Sequence, residues 1–270
     1  MRMERKVSFS SGHRYWLPSL SEGENRELFG RWASPYNHGH NYVLTVIAEG
    51  PVDARTGMVV NIKDIDAVVK ARVLSEFDQK SINDEVPAFR DRAPSLENLL
   101  LYFADAFAIL PEPARLTGLK LEETPLLYGE WNAADNMITI TRIYEFAAAH
   151  RLHSEEFSDN RNWELYNKCS RPNFHGHNYV LEVTISGELD TRTGMIASLE
   201  DLDHAVNESV VDRYDHQNLN LDIPEFKDRL TTSEVVAQEI FDRLRKVVPG
   251  RLERVRLHET ARNIFEVARS

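Results

Sequence analysis

A chain of 270 residues with 42% hydrophobic and 28% charged side chains reads as an ordinary soluble globular protein, long enough for one large or two small domains. The formal net charge of −11 argues against a nucleic-acid partner. No run approaches the roughly 18 apolar residues of a membrane span, so no membrane partner is expected.

Met1–Phe9 carries charges but no apolar segment, so no secretory signal is expected. The single cysteine, Cys169, rules out an intrachain disulfide and fits a reducing cytoplasm.

In chain order, a strand is predicted over 6–13, ending on His13. After a loop of about 25 residues, a β-branched and aromatic run from Tyr42 to Ile47 reads as a second strand. Asp53-x-Arg-Thr-Gly57 then makes a hairpin-like turn. Apolar residues at three-to-four spacing predict a helix over Ile62–Phe77. A second helix starts at the N-cap candidate Ser95 and runs to about Ile109, with Pro111 closing it. Strands over 118–122 and 126–131 finish the unit.

The same order then returns. His38-Gly-His-Asn-Tyr-Val-Leu44 recurs as His175-Gly-His-Asn-Tyr-Val-Leu181, and Asp53-x-Arg-Thr-Gly-Met58 recurs as Asp190-x-Arg-Thr-Gly-Met195, both at an offset of 137. Across 38–60 and 175–197, 14 of 23 positions are identical, which chance does not produce. The second unit has strands near 137–150 and 179–185, helices over Leu199–Val211 and from Thr232/Ser233 to Val247, and strands over 253–258 and 263–268. The boundary falls in the polar stretch Asn132–Asn136, giving domains 1–134 and 135–270. Each is α+β, ordered ββααββ, with two helices on one face of a four-stranded antiparallel sheet.

His175 and His177, two apart on one strand, project from the same face, and His150 ends the preceding strand. Three imidazoles with an open fourth position make a catalytic zinc site, although other first-row ions take the same ligands. An HxH pair alone is weak evidence. Here the whole set recurs as His13, His38 and His40, which gives the first copy a candidate metal site as well.

Cys169 lies six residues before His175 in a polar loop, where a nearby cation would favour the reactive thiolate. Asp215-His216 is a carboxylate–imidazole pair, the usual arrangement of a general acid/base or thiol activator. In the first copy these positions read Trp32 and Asp78-Gln79, so the thiol and the imidazole are missing together. Their joint loss is the reason to take them as acting together. Glu259, matched by Glu123, suits a carboxylate that accepts two N–H donors from a flat heterocycle.

These residues resemble the 6-pyruvoyl-tetrahydropterin synthase family along essentially the whole of each half. The resemblance rests on Phe146-Ala-Ala-Ala-His-Arg151, Cys169-x5-His175-Gly-His-Asn-Tyr179, Asp190 to Met195, Asp215-His-Gln-Asn-Leu-Asn220, Thr232-Ser-Glu234 and Glu259-Thr260. It implies the tunnelling fold, in which sheets of several units close into a barrel. It implies dihydroneopterin triphosphate as the small-molecule pterin substrate, with 6-pyruvoyl-tetrahydropterin formed and triphosphate lost. It implies Zn2+ on His150, His175 and His177, and Mg2+ with the triphosphate.

On the same resemblance, Cys169 is the base, helped by Asp215 and His216. Glu259, with Thr232 and Ser233, anchors the pterin, and Glu123 is the first copy's counterpart anchor. Lys168 and Arg171 are candidates for holding the triphosphate. The first copy, with Trp32, Gln79 and Pro94-Ser95-Leu96, is expected to be a degenerate, structural half. A homo-oligomer follows, preferentially three chains forming a pseudo-hexamer with one ring of first copies and one of second copies. That arrangement would put Cys169 beside another chain's Asp215 and His216.

The alternatives are a 6-carboxy-tetrahydropterin synthase, whose cysteine spacing is shorter, and a non-catalytic metal- and pterin-binding scaffold.

Overall fold

The computed structural model describes residues 1–108 and 110–269. They form two compact units. One comprises Met1–Thr141 with Ser186–Glu200, and the other Arg142–Ile185 with Asp201–Ser270. The Asp190–Met195 loop, second-copy by sequence, thus packs into the first unit.

In the first unit, β1 (Arg2–His13) and β2 (His38–Glu49) run antiparallel without a break, from Arg2 opposite Glu49 to His13 opposite His38. That register sets the histidines. His13 faces His38 across the ladder, and His40 follows two residues on, on the same face. Next to β2 comes β4 (Arg115–Thr124), then β5 (Leu127–Asn132), both antiparallel. The edge beyond β1 carries a feature the sequence reading missed, the two-residue strand β3 (Lys80–Ser81), which pairs parallel to β1.

Helix α2 (Ile62–Val69) continues through a π-turn over Lys70–Leu74 into Ser75–Phe77. Together these make the predicted first helix. Helix α3 (Leu96–Phe107) begins at Ser95, whose hydroxyl accepts the Asn98 N–H. Its expected end at Ile109 lies outside the described residues. The core between helices and sheet is aromatic. Phe9 stacks on Tyr42 at 5.1 Å and meets Phe77 and Phe103 edge-on, with all four rings buried.

The second unit repeats this. Its strand order is β10 (Asn263–Ala268), β9 (Arg251–Thr260), β7 (His175–Ser186), β6 (Met137–His150), with β8 (Gln217–Asn218) parallel against β6. Phe146 stacks on Tyr179 at 5.0 Å, as Phe9 does on Tyr42. Among the described residues, neither unit's sheet closes into a barrel.

The loops after His13 and His150, expected to be irregular, each hold a helix, α4 being the second-unit counterpart of α1: α1 is Glu22–Phe29 and α4 is Asp159–Tyr166. Ser21 and Glu24 form a reciprocal capping box on α1. The buried Asn25 accepts the Leu17 N–H and donates to the Leu17, Leu20 and Ser21 carbonyls, which knots the loop to the helix. Asn162 does the same for α4 through Ser154, Phe157 and Ser158. The other two helices of the second unit are α5 (Leu199–Val206), extended by a π-turn, and α6 (Ser233–Leu244).

Candidate metal and substrate site

The chain end of β6 is clamped before any ligand is considered. The Asn220 side chain accepts the Arg151 N–H and donates to the Arg151 carbonyl, fixing the residue after His150. Asn83 holds Arg14 in the same way. Neither asparagine stood out in the sequence as a positioning residue.

His150 is fully buried, and its Nδ1–H donates to the Thr231 carbonyl at 2.8 Å. That bond fixes the tautomer and leaves the Nε2 lone pair pointing away from the backbone. Nε2 of His150 lies 3.1 Å from Nε2 of His175. The ring centroids of His150, His175 and His177 are 4.6, 5.2 and 5.0 Å apart. One nitrogen from each lies within 4.8 Å of the others, and Nε2 of His177 is buried with no hydrogen-bond partner. Burial lowers all three pKa values, most directly by desolvating the imidazolium, so the rings are neutral ligands at neutral pH. Converging neutral nitrogens, one of them orphaned, are what a bound cation satisfies, so this triad can hold a metal ion.

The first unit has the same construction. His13 donates from Nδ1 to the Pro94 carbonyl at 3.3 Å, and its ring lies 4.5 Å from that of His38 and 5.0 Å from that of His40. Nε2 of His13 and of His40 are buried without partners. Burial, then His38 and His40, bring His13 down to about 3, and burial brings His40 to about 4. This triad can hold an ion too. Glu123 lies 3.6 Å from His40.

Glu259 sits beside the second triad, 3.9 Å from Nε2 of both His150 and His177. It accepts the Ser233 hydroxyl at 2.7 Å and the Asn263 amide at 3.1 Å. Burial pushes its carboxyl up. The Asn263 and Ser233 hydrogen bonds and the fields of His177 and His150 outweigh that and hold it below the usual range, so it is anionic. Thr232 does not reach it in this way. Its hydroxyl accepts the Val235 N–H as the N-cap of α6.

Cys169 is half-buried in the 3₁₀ turn Asn167–Ser170, and its carbonyl accepts the Leu152 N–H. Burial and the Glu259 carboxylate push its thiol up, because both disfavour a second negative charge there. A cation held by the histidines would work in the opposite direction.

Asp215 and His216 lie elsewhere on the unit. His216 lines an open groove with Ala147–Ala149, Gly176 and His177, and Cys169 is not in its wall. Asp215 accepts the Ala147 N–H at 2.7 Å and His216 Nδ1–H at 2.8 Å, and these bonds hold its carboxyl low. The His216 side chain is 83% exposed. Lys168 and Arg171 are exposed on the Cys169 loop. The structure therefore brings the second triad, Glu259 and Ser233 together, with Cys169 in the field of Glu259. It leaves the Asp215–His216 pair apart.

Sequence reasoning missed the carbonyls of Thr231 and Pro94, and Asn263. The first two could have been found at the matched offset of 137, one residue before each helix cap.

A family model described as 6-pyruvoyl tetrahydropterin synthase matches residues 2–133 and again 139–270. The chain is 45% identical over 126 residues to the Homo sapiens protein named 6-pyruvoyl tetrahydrobiopterin synthase, covering 46% of this chain and 87% of that one. It is 40% identical over 128 residues to the Drosophila melanogaster protein of that name, covering 47% and 76%. A solved structure of Caenorhabditis elegans 6-pyruvoyl tetrahydropterin synthase is 43% identical, covering 50% of this chain and 96% of that one, at a TM-score of 0.47.

Proposed function

Because the chain belongs to the 6-pyruvoyl tetrahydropterin synthase family, we propose that its second copy converts 7,8-dihydroneopterin triphosphate to 6-pyruvoyl-tetrahydropterin, with triphosphate released. The conversion is an internal rearrangement. The side chain is oxidised as the ring is reduced, so no nicotinamide is consumed. The observation that carries the reading is the convergence of three neutral imidazoles, the anionic Glu259 and the only thiol of the chain on one end of a sheet.

In this reading His150, His175 and His177 hold Zn2+. Bound zinc supplies Lewis acidity, which acidifies and polarises oxygen ligands. Glu259 accepts two N–H donors from the pterin edge, and Ser233 fixes the rotamer in which it does so. Cys169 removes and returns protons at the side-chain carbons. His216, oriented by Asp215, relays the proton. The groove that His216 lines does not include Cys169, and in this reading the relay to a given thiol comes from a neighbouring chain. Thr232, Lys168 and Arg171 border the site, and Mg2+ accompanies the triphosphate. The sheets of several units would assemble into the barrel of the tunnelling fold, in a cytoplasmic homo-oligomer. The first copy, with Trp32 and Gln79 where the thiol and the relay stand, is structural.

The test is direct. Wild-type protein and Cys169→Ala are incubated with dihydroneopterin triphosphate and zinc, and the pterin formed is identified. Wild type should yield the 6-pyruvoyl product and the variant should not. A 6-carboxy product, or unconsumed substrate with metal bound, would overturn the reading.

A further inference from the structure

The loop that precedes the His-Gly-His strand is held differently in the two copies. In the first it is packed. Trp32 and Ala33 join Tyr15, Leu17 and Phe29 in an apolar cluster. At the matched positions, 137 residues on, stand Cys169, Ser170, Leu152, Ser154 and Tyr166. Cysteine for tryptophan, and serines for alanine and leucine, remove much of the apolar surface that could bury there. The loop also opens at Asn167 and closes at Phe174 with φ of 46 and 59, a left-handed conformation that such residues keep only when their surroundings hold it.

Hydrogen bonds from the residues after His150 hold it. The Leu152 N–H donates to the Cys169 carbonyl at 2.9 Å, and the Arg151 Nε–H donates to the Ser170 carbonyl at 2.9 Å. The first of these is a backbone link, and the first copy also bridges there, Tyr15 to Ala33. The second is charge-assisted and half-buried, and so the stronger of the two. The Arg151 backbone is itself anchored, by Asn220 on both sides and by the Thr231 hydroxyl, which donates to its carbonyl at 3.3 Å. One short segment thus carries a ligand of the triad and the grip on the thiol's loop.

Arg14, the first copy's counterpart, is engaged elsewhere. Its guanidinium donates to Asn37 at 2.7 Å and to the two oxygens of Asp84 at 2.8 and 2.7 Å. In the second copy Phe174 stands for that asparagine and Leu221, 71% exposed, for that aspartate. The arginine is common to both copies. What it grips differs, and it grips the loop only where the loop carries cysteine.

We propose that Arg151 is a positioning residue for Cys169. By holding the Ser170 carbonyl it keeps the thiol's loop fixed against the histidine triad, a task that packing performs for Trp32. That the thiol so held is the base of the reaction rests on the proposed function; the grip itself does not.

Amide hydrogen exchange and steady-state kinetics of the zinc-loaded full chain test this. In Arg151→Gln, amides of residues 167–174 should exchange roughly 10-fold faster or more while those of α6 stay unchanged. The kcat for dihydroneopterin triphosphate should fall roughly 10- to 100-fold, as for a misplaced catalytic group, at an unchanged KM. Arg151→Lys, which keeps a cation and a donor, should recover part of both losses. Leu221→Asp acts from an exposed position outside the site. It restores the carboxylate that engages Arg14, should draw Arg151 off Ser170, and should speed exchange in the same segment, so the proposal stays testable if Arg151→Gln does not fold. Unchanged exchange of 167–174 in either folded variant would overturn it. So would a fall in kcat/KM carried by KM, which would make Arg151 a substrate contact instead. If wild type left the substrate untouched, the proposed function would fall, and the exchange rates would still decide whether Arg151 holds the loop.

Discussion

Glu97 is the carboxylate whose removal should change stability most clearly with pH. It is 4% exposed at the second position of α3, and its partners are the Ile196 N–H, its own N–H and the Ser95 hydroxyl. Burial outweighs those bonds and raises its pKa from 4.5 to about 7. Tyr15 faces it, and burial, with Glu123 and Glu97, keeps that phenol neutral. Below pH 4.5 the carboxyl is protonated in both folded and unfolded chains, so it carries no penalty. Between 4.5 and 7 the unfolded chain ionises it and the folded chain resists, so stability falls as pH rises. Above 7 the penalty is constant, 2.5 pH units at 1.36 kcal/mol each, about 3 kcal/mol.

Glu97→Gln is neutral at every pH and keeps an oxygen for the Ile196 N–H. Its stability should match wild type near pH 4.5 and exceed it by up to about 3 kcal/mol at pH 8. Urea unfolding of both proteins at pH 5 and pH 8 checks this, because other carboxylates cancel in the difference. A difference that does not grow with pH, or a variant weaker than wild type at pH 8, would refute the reasoning.

Three further outcomes follow from the same geometry. Elemental analysis of protein purified with zinc should find two ions per chain, and His177→Ala should leave one, at the first-unit triad. Gly194→Ala should destabilise the first unit by roughly 1–3 kcal/mol, since a Cβ there would stand 2.0 Å from the Asn98 amide at φ +67. Asn98→Ala in the same chain should restore the part due to the clash, which a double-mutant cycle of unfolding free energies would measure. His216→Gln, which installs the residue of the first copy, should unfold within about 0.5 kcal/mol of wild type while its turnover of dihydroneopterin triphosphate falls roughly 100-fold or more.

Much of this was legible in the residues because duplication made noise separable from signal. An HxH pair carries little weight, but His13, His38 and His40 repeated as His150, His175 and His177 fixed both the strand pairing and the triads. The helices after each turn were legible from their apolar spacing. Helices α1 and α4 were not, because Glu22–Phe29 and Asp159–Tyr166 are polar and short, and are held by buried Asn25 and Asn162 rather than by an apolar stripe. The capping pair Ser21 and Glu24 was the available clue. Strands β3 and β8 are too short to leave a pattern. The seat of the Asp190–Met195 loop was illegible for another reason. Glu97 looks like an ordinary first-turn acid, and only the fold shows that it is buried under Ile196.

The comparison of the two copies separates what the fold requires from what chemistry requires. Asp78 accepts the Ser10 N–H as Asp215 accepts that of Ala147, and Gln79 and His216 hold the same φ of 58 while donating N–H to the facing strand. The carboxylate and the left-handed turn are therefore structural in both copies. The imidazole is not, since glutamine fills the position without moving the backbone, and His216 has its ring in solvent, hydrogen-bonded to Asp215. Cys169 and Trp32 contrast in the same way. Trp32 packs on an apolar cluster with Arg31 over its ring, whereas Cys169 sits where burial and then the Glu259 carboxylate raise its pKa. A histidine the turn does not need and a thiol in an unfavourable field are poor choices for stability. Both occur in the second copy and neither in the first, and that contrast is what the proposed chemistry of the second copy accounts for.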